Sequence, residues 1–126
     1  MYRFTLPIYG VIKKGGLSVN WYRNAHYQSS NSAKKKFKKM IKPQLDMFDK
    51  IETPIKINYT YYAKSNNSPD LDNFVGVAKK FFQDALVESG LIEDDNVNFI
   101  VCNSEKYGGI DRVNPRVEVE IVSLNH

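Results

Sequence analysis

Apolar and polar positions along the chain change period several times, and each change marks an element. Residues 2–8 alternate weakly up to Pro7, whose missing N–H predicts a strand at a sheet edge. Residues 10–18, with Lys13-Lys14-Gly15-Gly16, read as a turn or loop, and the polar, aromatic stretch 20–32 as an ordered loop. A helix is expected from Asn31-Ser32, either residue serving as its cap, because Ala33, Phe37, Met40 and Ile41 recur at helical spacing. Pro43 kinks or ends it, while Leu45, Met47 and Phe48 extend the apolar stripe. After Pro54, Ile55, Ile57, Tyr59 and Tyr61 follow a clean period of two, predicting a strand. The strongest periodicity is helical: Leu71, Phe74, Val75, Ala78, Phe81, Phe82, Ala85 and Leu86 form one broad apolar face, closed by Gly90. Strands are expected at 97–103 and 116–124, the second alternating Val117, Val119 and Ile121 with Arg116, Glu118 and Glu120.

The resulting order, β, α, β, α, β, β, describes an α+β fold: one small domain over residues 1–126, with a mixed sheet of about four strands and two main helices. A chain of 126 residues is one domain's worth of polypeptide. No apolar run approaches the length of a membrane span, and residues 1–7 lack the apolar core of a signal peptide. The single cysteine, Cys102, lies in an apolar stretch and is expected in the core of a protein kept in the reducing cytoplasm.

Charge changes this picture. Residues 1–64 carry thirteen Lys or Arg against three acids, a balance of +10, whereas residues 65–126 balance at −6. A basic half suits a polyanion such as DNA, RNA or a membrane surface. An acidic half on such a protein repels phosphate, and a bound metal ion is the usual reason to keep it. Lys34, Lys35, Lys36, Lys38, Lys39 and Lys42 fill six of nine consecutive positions with no acid among them. Their mutual repulsion is relieved if phosphates neutralise them. Lysines are point charges, suited to backbone contact rather than base reading. Trp21, Tyr22, His26 and Tyr27 either stack on opened bases or pack beneath a long loop; His26 is structural or touches phosphate.

The candidate chemistry lies in Pro69-Asp70-Leu71-Asp72-Asn73, where a loop enters the long helix. One Asp there is explained as a helix cap, but only one of Asp70 and Asp72 can fill that role. In an extended segment the two project to the same side, where both carboxylates reach one Mg2+. Glu93-Asp94-Asp95 follows the helix, and its plain reading is a solvated turn. Returning to Asp70 and Asp72 would require more than a strand running antiparallel to the helix. A calcium loop is excluded, since Phe74, Val75 and Phe81 stand where it needs a ligand, Gly and Glu. No Walker loop, dinucleotide loop or His pair at metal spacing occurs.

Asp70-Leu71-Asp72-Asn73, then Asp84-Ala85-Leu86, Gly90 and Asp94-Asp95, resembles the RusA family of Holliday junction resolvases. The match is close over residues 69–95. Beyond them it extends to the N-terminal strand, an Asn20-x-Tyr22-Arg23 loop, the basic helix and the C-terminal strands. The resemblance implies a homodimer that depends on Mg2+ or Mn2+ and makes paired cuts across a four-way DNA junction in recombination and repair. It also implies three catalytic, metal-holding carboxylates at Asp70, Asp72 and Asp95, with Asp94 as the alternative for the third. A catalytic lysine is implied one turn after the second Asp, but that position holds Gly76. Alignment from Asp84 points to Lys80. Helical phase points to Lys79, seven residues and roughly 700° from Asp72, at a rise of about 10 Å. Junction contacts are expected from the six lysines, Asn20, Tyr22, Arg23 and His26. The rival reading is a non-catalytic DNA- or RNA-binding protein whose acids cap and solvate, or a related nuclease acting on other branched structures.

Overall fold

The computed structural model describes residues 2–66 and 71–124 and, of Asp72, the backbone alone. In chain order the elements are β1 (Tyr2–Pro7), α1 (Val19–Asn24), α2 (Tyr27–Leu45), β2 (Ile55–Ala63), α3 (Leu71–Glu88), β3 (Ile100–Ile110) and β4 (Arg116–Ser123). The strands form a mixed sheet ordered β1-β4-β2-β3. β4 lies antiparallel to both β1 and β2, while β2 and β3 run parallel because α3 carries the chain back between them.

The period-two strands explain why only one sheet face is covered. Phe4 and Leu6 of β1, Ile55, Ile57, Tyr59 and Tyr61 of β2, and Val117, Val119 and Ile121 of β4 are all buried. Their alternates, among them Arg3, Thr5, Asn58, Thr60, Glu118 and Glu120, line the open face. α3 presses its apolar stripe onto the covered side. Phe82 meets Phe4 at 5.0 Å and Tyr59 at 6.4 Å between ring centroids, and Phe81 meets Phe37 of α2 at 5.6 Å and Tyr22 of α1 at 5.9 Å. α3 is therefore gripped between sheet and helices, which fixes the direction of everything it carries. It ends at Glu88, and the chain turns away at Gly90, whose φ of 80° is a conformation that costs other residues steric strain.

Four expectations need correction. Residues 19–24 form a helix rather than a loop, started by Ser18, whose hydroxyl accepts from the Trp21 N–H at 3.0 Å. α2 begins at Tyr27, not Asn31 or Ser32, with His26 as the cap: its Nδ1 accepts from the Gln28 N–H at 3.2 Å. The helix then runs two residues past Pro43, and Leu45 takes its expected buried place. β3 starts at Ile100 and continues to Ile110, whereas residues 97–99 are a turn. As an edge strand it is exposed along most of its length, so it lacks an alternating pattern, and Gly108-Gly109 imitates a turn. Gly108 is there because a Cβ would lie 2.7 Å from the Tyr62 ring and 2.8 Å from Thr60 Cγ2. Cys102, on that strand, is exposed and not in the core. No helix among the described residues is long and apolar enough to cross a membrane.

Candidate nuclease site and nucleic-acid interface

Asp72 lies in the first turn of α3, and Asp70 falls outside the described residues. The other acidic run lies at the opposite end of that helix. Leu91 N–H donates to the Leu86 carbonyl at 3.0 Å and Ile51 N–H to the Leu91 carbonyl at 2.8 Å, tying the chain to the helix C-terminus before Glu93. Asn96 then accepts from the Phe99 and Ile100 N–H groups, so the run ends beside the first residue of β3. Fourteen helical residues from Asp72 to Leu86 span about 21 Å, and the eight steps of β2 span about 26 Å. Both routes separate Asp72 and Asp95 of one chain by on the order of 20 Å, about twice what two aspartates on one ion allow. Among the described residues no three His, Cys, Asp or Glu side chains gather as a metal group.

The acidic turn is internally ordered. Asp94 Oδ1 accepts from the Asp95 N–H at 2.7 Å and its Oδ2 from Asn96 Nδ2 at 3.0 Å. Asp94 is thus engaged in holding the turn, while the exposed carboxylate of Asp95 has no hydrogen-bond or ion-pair partner among the described residues.

Lys79 and Lys80 point to different surroundings. Lys79, half-buried, lies 3.6 Å from Glu105 Oε2 on β3. The other oxygen of Glu105 is buried without a hydrogen-bond partner. Nearby, Gln83 Nε2 donates to the Tyr59 hydroxyl at 3.0 Å and to Asn103 Oδ1 at 3.2 Å. Burial, with the Glu105 charge adding to it, holds the Tyr59 phenol well above its ordinary pKa, so it stays a neutral hydrogen-bonding group. Lys80 is exposed and faces α1 and α2, sharing a hollow with Tyr22, Tyr27 and Asp84. Glu105 was not legible as a site neighbour: its proximity to Lys79 depends on the parallel β2–β3 register that sets it against Tyr59.

The lysines of α2 divide by helix face. Ala33, Phe37, Ile41 and Leu45 are buried. On one flank Lys34 lies 3.1 Å from Asp84 and 3.5 Å from Glu88, and Lys38 lies 3.5 Å from Glu88. The hydrogen bond to Asp84 raises the Lys34 pKa. Lys42 pairs with Asp46 one turn on, at 2.7 Å. The acids absent from the run itself therefore come from α3 and from beyond Pro43, although such surface pairs are worth only about 0–1 kcal/mol. Lys35, Lys36 and Lys39 have no ion-pair partner among the described residues, and Lys36 lines a groove with Lys13, Trp21 and Gln28.

On α1, Asn20 accepts from Asn24 Nδ2 through its carbonyl at 2.8 Å, Tyr22 packs edge-on to Phe81, and Arg23 is exposed in the last turn. Trp21 and Tyr22 are partly buried against the core, whereas Tyr27 is 77% exposed. Packing thus claims the first two rings and leaves Tyr27 and Arg23 facing solvent.

A small α+β domain with a lysine-studded helix has the make-up of a protein that binds a polyanion. The family model described as Endodeoxyribonuclease RusA matches residues 12–122, and the chain belongs to that family. No curated protein matches the sequence. Membership makes the chain an endodeoxyribonuclease of the kind that acts on branched DNA junctions.

Proposed function

We propose that the protein resolves four-way DNA junctions in recombination and repair as a homodimer dependent on Mg2+, with Mn2+ able to substitute. The observation that carries this reading is the family match over residues 12–122; the length of α3, which by helix rise holds Asp72 and Asp95 of one chain on the order of 20 Å apart, adds the composite site. A three-carboxylate site then forms only when Asp95 of the partner subunit joins Asp70 and Asp72. A two-fold dimer has two such sites and makes two symmetric cuts.

The donor set suits the ion: aspartate oxygens are hard ligands, and of the Asp94-Asp95 pair Asp95 is the one whose carboxylate is unengaged among the described residues. Once bound, the ion supplies an activated water and stabilises charge on the phosphate. Lys79, held by Glu105 on the helix side that Asp72 starts, offers a cation along the DNA backbone leading to the cut. Lys35, Lys36 and Lys39 supply backbone contacts, joined by Lys34, Lys38 and Lys42 as their surface pairs yield to phosphate. Asn20, Tyr22, Arg23, His26 and Lys80 border the same end of α2.

The test is a synthetic four-way junction incubated with the protein in Mg2+ or in EDTA. Paired symmetric nicks in Mg2+ and none in EDTA are expected. Binding without cleavage in either Mg2+ or Mn2+ would establish the non-catalytic alternative. Cutting of flaps or forks in preference to the junction would reassign the substrate.

A further inference from the structure

The groove that Lys36 shares with Lys13 and Trp21 has no part in the carboxylate site. One wall is the loop that follows β1, and this loop is anchored: Tyr9 pairs with Gly16, and the Leu17 N–H donates to the Ile8 carbonyl at 2.9 Å. The Tyr9 ring lies 6.4 Å from Phe74 in the first turn of α3, with the Lys64 ammonium 4.9 Å from its own centroid, so the loop is seated beside the start of that helix. Between the loop and the first half of α2 is a hollow of about 630 Å3, within the range of pockets that take small ligands. Ile12 and Trp21 give it an apolar wall, Lys13 and Lys36 stand exposed along it, and Ser29 and Ser32 supply hydroxyls. No acid lines it, and neither lysine has an ion-pair partner among the described residues. Trp21 is only partly buried: core packing takes one part of the indole, and the rest borders the hollow.

We propose that this groove holds one unpaired nucleotide of a DNA strand, with its base against Trp21 and its flanking phosphates on Lys13 and Lys36. Three features select this occupant. The indole offers a π-face, on which any base stacks whatever its sequence. Two lysines with no acid between them make a positive border complementary to phosphate. The indole is also partly sunk, so a base still stacked in a duplex cannot lie against it, whereas a base displaced from its stack can. Position agrees with chemistry. Lys35 and Lys39 extend the free cations along α2, and the anchored loop sets the groove beside the first turn of α3, where Asp72 lies. That DNA is the source of the base rests on the function proposed above; the aromatic and cationic make-up of the groove does not.

The test uses Trp21 itself, the sole tryptophan of the chain, and needs no substitution of a ring that also packs on the core. A dye-labelled oligothymidylate of about eight nucleotides, a usual span for a single-strand site, is titrated into the wild-type chain in EDTA. Binding is followed by the anisotropy of the dye and stacking by the emission of Trp21. The single strand is expected to quench most of that emission in step with binding, and the same strand paired to its complement to quench far less. Lys13→Ala and Lys36→Ala are each expected to weaken single-strand binding about tenfold and to lower the slope of log K against log salt by about 0.7, the share of one phosphate. Lys106→Ala, on the open face of the sheet, is the control and leaves both unchanged. Absence of binding, binding without quenching, equal quenching by the duplex, or equal weakening by Lys106→Ala would overturn the proposal. Junction cleavage is read separately: a chain that cuts the junction but fails here keeps the proposed activity and loses the groove.

Discussion

Asp72→Asn is expected to lower junction cleavage by at least about a thousandfold while leaving junction binding equal or tighter. A metal-bound carboxylate contributes several kcal/mol at the phosphoryl transition state through the ion it holds, and about 4 kcal/mol corresponds to a thousandfold in rate. The substitution keeps the shape of the side chain and removes a negative charge that, on the proposed reading, repels phosphate, so binding is not expected to suffer. Its effect on folding is small, because an acid in the first turn of a helix adds only about 0.3–1 kcal/mol through the dipole. Parallel gel-shift and cleavage assays on one junction separate the two outcomes. Cleavage at the wild-type rate would remove Asp72 from the site.

The second large effect is on stability. Phe82 is fully buried where α3 meets the sheet, against Phe4 and Tyr59. Phe82→Ala removes those contacts and leaves a cavity between three elements that cannot collapse independently. The expected cost is about 3–5 kcal/mol, against a total stability of roughly 5–15 kcal/mol for such a domain. Thermal unfolding followed by circular dichroism is expected to shift down by 10 °C or more, on the order of several degrees per kcal/mol. A shift of only a degree or two would mean that α3 is not clamped as described.

The parts of the fold legible in the sequence are those whose burial is one-sided and regular. β2, β4 and α3 each bury one face, so period two and period 3.6 appear directly in Ile55 to Tyr61, Val117 to Ile121 and Leu71 to Leu86. α1 and β3 escaped because neither has a clean apolar face: α1 buries no residue completely, and β3 lies at an edge. Cys102 was misplaced for the same reason. The start of α2 was hidden because its first turn is polar and its cap is a histidine, an uncommon choice.

The candidate site divides along similar lines. Asp70-Leu71-Asp72-Asn73 and Asp94-Asp95 are local motifs, and the family match over residues 12–122 agrees with the resemblance they carry. Relations between distant segments needed the fold. Lys34 and Lys38 meet Asp84 and Glu88 across a helix pair, and Lys79 meets Glu105 across a parallel strand register. The expected lysine position holds Gly76, and the cation of that last pair, Lys79, lies three residues further on, just under one helical turn. Spacing did indicate that a strand after α3 would not return Asp95 to the start of the helix, and the bonds around Leu91 and Asn96 explain why.

Mixing two inactive variants tests the composite site most directly. Asp72→Asn and Asp95→Asn protein are each expected to leave a four-way junction uncut. After subunit exchange, a heterodimer carries one intact site, with Asp70 and Asp72 from one chain and Asp95 from the other, beside one doubly damaged site. Equal mixing makes about half the dimers heterodimeric, so single-strand nicking is expected to return to about a quarter of the wild-type site activity. If mass spectrometry shows that heterodimers have formed and the mixture remains inactive, the two carboxylate groups do not share a site across the dimer.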